Sequence, residues 1–218
     1  MRRLFDYDGQ FMGVANRIAN LMWLGVLTLL FSFPVVSAGA SLTAMYYTIF
    51  QMREKDRDDV LRCFWHGFTS NFLQSTILWI AILAGCYLLY GNIVLLAQAL
   101  DTLSILYTSI IGLLLVAAYA FLIPMQARYA NTWVKILRNS FVMGILHLPK
   151  AILAVVLHIV PFVLSIFYPA IFPVVLVLGL SVPAYLNAPM LLRIFDASTS
   201  TKQDNGATPD QMGGDAEP

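Results

Sequence analysis

Three histidines, two cysteines and a few amides are the groups on this chain whose chemistry could go beyond packing. His66, His147 and His158 are far apart in sequence, so a metal site would need the fold to converge them with carboxylates or thiolates. The compact motifs that announce such sites are missing: there is no HExxH, no GxSxG, no Walker-type glycine loop and no CxxC. Cys63 sits beside a charged loop and Cys86 inside an apolar stretch, which reads as two small packing thiols rather than a disulfide. The inner parts of the apolar stretches carry no carboxylate, and an embedded protease or metal enzyme would need acid–base groups there. The buried ionisable relays of ion-coupled transporters are missing for the same reason. No catalytic, cofactor-binding or metal-binding residue is therefore expected, and the chain reads as a non-enzyme.

Only a short polar census remains. His158 lies near the middle of the fifth apolar stretch, three residues before Pro161, and Asn20, Gln74 and Asn92 lie within or near others. An unsatisfied amide in hydrocarbon is costly. These side chains therefore either hydrogen-bond between helices or line a sugar-sized polar cavity, and for His158 a proton or ligand site is the sharper alternative. Pro34 breaks a long apolar run, and Gly39, Ala40, Thr43 and Ala44 follow with small side chains at four-residue spacing. That pattern predicts a tight hairpin, its turn at Pro34 to Gly39 and its helices closely approached.

The elements that must position these residues are set by composition. Of 218 residues 59% are hydrophobic and 11% charged, against about a quarter charged in globular proteins, and the mean hydropathy is +0.75. The fold class is an all-α membrane protein. At about 20 apolar residues per crossing, the pattern predicts six transmembrane helices over 18–33, 36–52, 72–96, 103–123, 151–168 and 171–192, with five as the alternative if 36–52 does not cross. One helical domain thus covers 1–195, and the acidic, Ser- and Gly-rich segment 196–218 reads as a disordered cytoplasmic tail. Two amphipathic elbow helices are expected in the interface, around Phe64 to Phe72 and Trp133 to Phe141. Their similarity, about 70 residues apart, hints at an internal repeat. The first 17 residues read as a surface segment, and the last span as interrupted by Pro173, Pro183 and Pro189.

Charge placement chooses between six spans and five. With six, all 13 Lys and Arg fall on one side, and the opposite connections near 34–38, 97–102 and 168–171 hold none. With five, Arg2, Arg3 and Arg17 land outside. Six spans with both termini cytoplasmic is the expectation. Val36-Ser37-Ala38 after an apolar run also imitates a signal-cleavage site, but Phe31 and Phe33 just before it suit a retained span.

The residues carry a resemblance as well. Asn20-Leu21-Met22-Trp23, Phe33-Pro34, Gly39-Ala40 through Ala44-Met45-Tyr46-Tyr47, then Phe64, Phe68, Asn71-Phe72 and Gln74 resemble the YesL-like family of bacterial multi-pass membrane proteins. Arg138-Asn139-Ser140 and His147-Leu148-Pro149 are similar to that family's second cytoplasmic segment. The resemblance covers roughly 4–195 and implies a protein of unknown activity in the cell membrane of a Gram-positive bacterium, encoded near carbohydrate ABC transporters and glycan-degrading enzymes. It supplies no site residues. The expected function is accordingly an accessory or interaction protein associated with carbohydrate uptake by an ABC transporter. The alternative is a permease for a neutral solute such as a sugar, which the prolines within the helices favour. The expected partners are the lipid bilayer and either ABC transporter subunits or further copies of the chain, with no nucleic acid and no cofactor.

Overall fold

The computed structural model describes residues 10–55, 59–96, 102–129 and 132–204. The connection around Asp101, residues 56–58 of the charge run and residues 205–218 of the tail lie outside them. Among the described residues seven α-helices succeed one another: α1 (Gln10–Ser32), α2 (Ala38–Glu54), α3 (Val60–Leu96), α4 (Thr102–Arg128), α5 (Trp133–Leu146), α6 (Leu148–Phe167) and α7 (Phe172–Asp204). Short 3-10 turns at Val35–Ser37 and Pro169–Ile171 join α1 to α2 and α6 to α7. The all-helical bundle is the expected fold class. Among the described residues five helical segments are long and apolar enough to cross a membrane: Met12–Ser32, Val60–Val94, Ile105–Arg128, Leu148–Phe167 and Pro169–Ala197. The chain is a helical membrane protein.

α2 is not among those five, and its position explains why. It is 17 residues long and rich in Gly, Ala, Ser and Thr, yet it packs against α1, α3, α4 and α7 at once. Ala40, Ser41, Ala44, Thr48 and Ile49 are fully buried. A helix wrapped by other helices needs small side chains for close approach, not lipid-facing bulk. Its carbonyl and hydroxyl chemistry is met inside the bundle: Ser41 Oγ donates to Thr28 O at 2.7 Å, and Thr43 and Thr48 donate to carbonyls one turn back.

The hairpin forms as the sequence predicts, but its tightest contact is elsewhere. Pro34 precedes the 3-10 turn, and Ser37 Oγ closes it by donating to Phe31 O at 2.7 Å. Trp79 Nε1 reaches across from α3 to donate to Val35 O at 2.9 Å. Gly39 lies against α3, not α1: a Cβ there would meet Trp79 Cβ and, at 2.8 Å, the carbonyl oxygen of Ser75. Ala44 approaches Gly67 of α3 in the same way. The small-residue face of α2 is therefore spent on α3, while α1 is held through the serine bonds.

The helix bounds differ from the expectations at several places. The segment around Phe64 to Phe72 is no separate elbow but the first part of one 37-residue helix, α3. Its aromatic face is occupied, since Phe64 is fully buried and Phe31 of α1 packs on Phe64 and Phe68 with ring centres 5.6 and 5.1 Å apart. The second elbow is a separate helix, α5, pressed on α4. The prolines do not break their helices, because α4, α6 and α7 run through Pro124, Pro161, Pro183 and Pro189. α7 also runs on to Asp204, into the segment expected as a tail, and α1 starts at Gln10, within the expected surface segment.

Polar side chains tie one end of the bundle together. Arg128, ending α4, bonds Glu54 of α2 and Asp196 of α7, both at 2.7 Å. Arg17 Nη1 of α1 donates to Tyr185 Oη at 3.0 Å, and Arg53 of α2 stacks on the Tyr185 ring at 3.9 Å. Pro189 has no N–H, which deprives the Tyr185 carbonyl of its helical donor. Arg53 Nη2 takes that place at 3.0 Å, and this is how α7 passes its proline unbroken. The start of α1 and the ends of α2, α4 and α7 are thus gathered at one charged end, so α2 runs antiparallel to α1 and parallel to α4.

Candidate functional site

The structure disperses the residues that sequence reasoning singled out. Asn20 lines an open cavity of about 750 Å³ near the charged end with Trp23, Asp59, Arg62 and Trp65. Asn92 accepts a hydrogen bond from Thr108 Oγ1 at 3.2 Å, joining α3 to α4. Gln74 is half-buried on α3 and lines none of the described cavities. Pro34 opens the hairpin turn, Gly39 and Ala44 face α3, and Ala40 is fully buried. Among the described cavities none is lined by more than one of Asn20, Gln74 and His158, which sit on α1, α3 and α6.

His158 alone reaches a site with defined chemistry. It lines a cavity of about 350 Å³ between α2, α4, α6 and α7, whose walls include Tyr46, Tyr119, Pro124, Phe162 and Leu180. Its Nδ1 lies 2.8 Å from Ala154 O. A carbonyl only accepts, so Nδ1 carries the proton and Nε2 of the neutral ring presents a lone pair. Tyr46 Oη faces that lone pair at 3.4 Å, longer than a well-formed hydroxyl hydrogen bond. Asn187 Nδ2 of α7 donates to the same Ala154 carbonyl at 3.3 Å, so one oxygen anchors both polar side chains. Beyond His158 and the two tyrosines, Tyr46 and Tyr119, the cavity is apolar, and it adjoins a second apolar cavity of about 420 Å³ between α3 and α4 that Tyr119 and Val155 also line.

Two polar residues that the sequence census passed over matter here. Asn187 lies inside the last span, between Leu186 and Ala188, and Gln126 comes two residues after Pro124. Gln126 is 2% exposed, and neither its Oε1 nor its Nε2 has a partner; Ser75 Oγ beside the same small void is also unpaired. Their signal was a single amide in an apolar string, the criterion that picked out Asn92. Tyr46 and Tyr119 carried no separate signal, since an aromatic in a span first reads as packing.

Among the described residues no group of three or more His, Cys, Asp or Glu could hold a metal ion. Cys63 is buried and Cys86 exposed, and neither forms a disulfide among the described residues. Outside the spans, His147 caps the junction of α5 and α6; desolvation of its ring, with Lys150 near by, holds it below the ordinary histidine value.

No curated protein and no solved structure matches the chain. A family model does, described as a protein of unknown function, DUF624, and it matches residues 17–93. That stretch runs from the start of the hairpin almost to the end of α3, and it contains the residues from Asn20 to Gln74 on which the resemblance rests. Over α1, α2 and α3, then, this membrane protein is similar to the DUF624 family, the family of the YesL-like proteins.

Proposed function

We propose that this protein is an accessory or interaction component of the cell membrane, without chemistry of its own, associated with carbohydrate uptake by an ABC transporter. The observation that carries the reading is the placement of α2. Where a solute path would run along the bundle axis there is a packed helix, with Ala40, Ala44, Thr48 and Ile49 fully buried. The permease alternative drew on proline-broken helices, and α4, α6 and α7 are continuous through their prolines. The transporter association rests on what the family resemblance implies. The charged end formed by Arg17, Arg53, Arg128 and Asp196 is taken as the cytoplasmic end, with both termini on that side, in a Gram-positive plasma membrane.

Purification of the tagged chain from its native membrane in mild detergent, with mass spectrometry of the co-purifying proteins, tests the association. Recovery of ABC transporter subunits above an unrelated membrane protein control is expected, and their repeated absence would overturn it. Uptake of any sugar by vesicles holding only this protein would return the permease reading.

A further inference from the structure

We propose that the cavity between α2, α4, α6 and α7 binds a neutral, lipid-soluble alcohol that enters sideways from the bilayer, its hydroxyl held by His158 and Tyr46. This goes beyond the accessory role and stands on separate observations. Depth is the first. His158 is the eleventh of the 20 residues of α6, so at 1.5 Å per residue it lies about 15 Å from either end of that helix, near the bilayer midplane. Access is the second. Ile159 and Tyr119 line the cavity and are 52% and 37% exposed, on helix surfaces that also present Val156, Val163 and Val116. The mouth opens on hydrocarbon, so whatever enters must dissolve there, which excludes a charged ligand.

The walls narrow the class further. Ile123, Ile159, Phe162 and Leu180 offer no hydrogen bonds, and beside His158 and Tyr46 only the Tyr119 hydroxyl is polar among the lining side chains, so a sugar would leave most of its hydroxyls unpaired. A single hydroxyl fits. It donates to the Nε2 lone pair of His158, whose Nδ1–H is committed to Ala154, and it accepts from the Tyr46 hydroxyl. The 3.4 Å separation of Tyr46 from Nε2 leaves that lone pair weakly used, so an incoming hydroxyl has little to displace. At about 350 Å³ the cavity is at the small end of ligand sites, suited to a short apolar body.

The test uses the full-length protein in phosphatidylglycerol nanodiscs with two photoreactive probes: a diazirine-bearing eight-carbon alcohol and the matched diazirine hydrocarbon lacking the hydroxyl. Mapping of crosslinked peptides is expected to place the alcohol on the lining of α4 and α6, competed by unlabelled octanol, with weaker labelling by the hydrocarbon. His158→Phe removes the acceptor and should weaken the alcohol's half-saturation by about three- to tenfold, leaving hydrocarbon labelling unchanged. Ile159→Trp, at an exposed position that does not disturb the core, should block the mouth and suppress both probes. Equal labelling by alcohol and hydrocarbon would show an apolar void that any acyl chain fills, and would overturn the proposal. So would crosslinks away from the lining, or alcohol labelling unchanged in both variants.

Discussion

Replacing Gly25 by alanine tests the packing of the bundle where it is tightest. A Cβ at Gly25 of α1 would lie 2.8 Å from the carbonyl carbon of Val177 on α7 and nearer still to its oxygen. Carbon atoms in comfortable contact stand about 3.5–4.0 Å apart, so α1 and α7 must separate by about 1 Å. A backbone carbonyl cannot swing aside as a side chain tip does. Overpacking costs about 1–3 kcal/mol, and the rigid partner puts this site at the upper end. Alanine recovers about 1 kcal/mol of helix propensity over glycine. The net loss is about 2 kcal/mol, roughly thirtyfold in the unfolding equilibrium. Gly91→Ala on α3 is the control, since a Cβ there meets nothing within 4 Å, and it should be neutral or stabilising by up to about 1 kcal/mol. Unfolding in mixed micelles of a mild detergent and SDS, monitored by circular dichroism, reads both variants on one scale. If Gly25→Ala proves as stable as Gly91→Ala, α1 and α7 do not approach this closely and the packing reasoning is refuted.

Gln126→Leu should stabilise the protein by about 1–3 kcal/mol in the same assay, because it removes a buried amide with no partner at nearly constant volume; a loss of stability would mean the amide is satisfied in the membrane. Arg128→Gln breaks the pairs with Glu54 and Asp196, both partly exposed, so the loss should be about 1 kcal/mol and should shrink in 1 M salt; a salt-independent loss would contradict an ionic origin. His147 has its folded-state value held below 6.5, so as pH falls through about 6.5 the unfolded chain takes up the proton first and stability declines on the acid side. His147→Gln should flatten that part of the pH–stability profile, and an unchanged profile would remove His147 as its source.

The helices were legible in the sequence because length and apolar composition decide them, and the charged end because every Lys and Arg lay on one side of the six-span count. Helix rotation was not. In a bilayer the outside of a bundle is as apolar as its inside, so a helix such as α4 carries no sided pattern to say that Phe121 is buried while Leu113 is exposed. That is why the small residues of α2 pointed to a close approach but not to α3 as its partner. The aromatic stripe at Phe64 and Phe68 suggested an interfacial elbow because a face that packs on Phe31 looks the same as one that meets lipid. Of the polar residues only His158 led to the cavity, and its partners Tyr46 and Asn187 became visible once α2 and α7 were placed beside α6.

The central position of α2 also bears on how the chain is made. During synthesis a segment enters the bilayer according to its own hydrophobicity, and 17 residues that include Ser41, Thr43, Thr48, Gln51, Arg53 and Glu54 partition weakly when alone. The contacts that shelter this helix come from α1 before it and from α3, α4 and α7 after it. Stable residence of α2 therefore waits on chain that has not yet been translated when α2 leaves the ribosome. Nascent chains halted just after Glu54 should hold this helix insecurely, and chains extended through α3 should retain it.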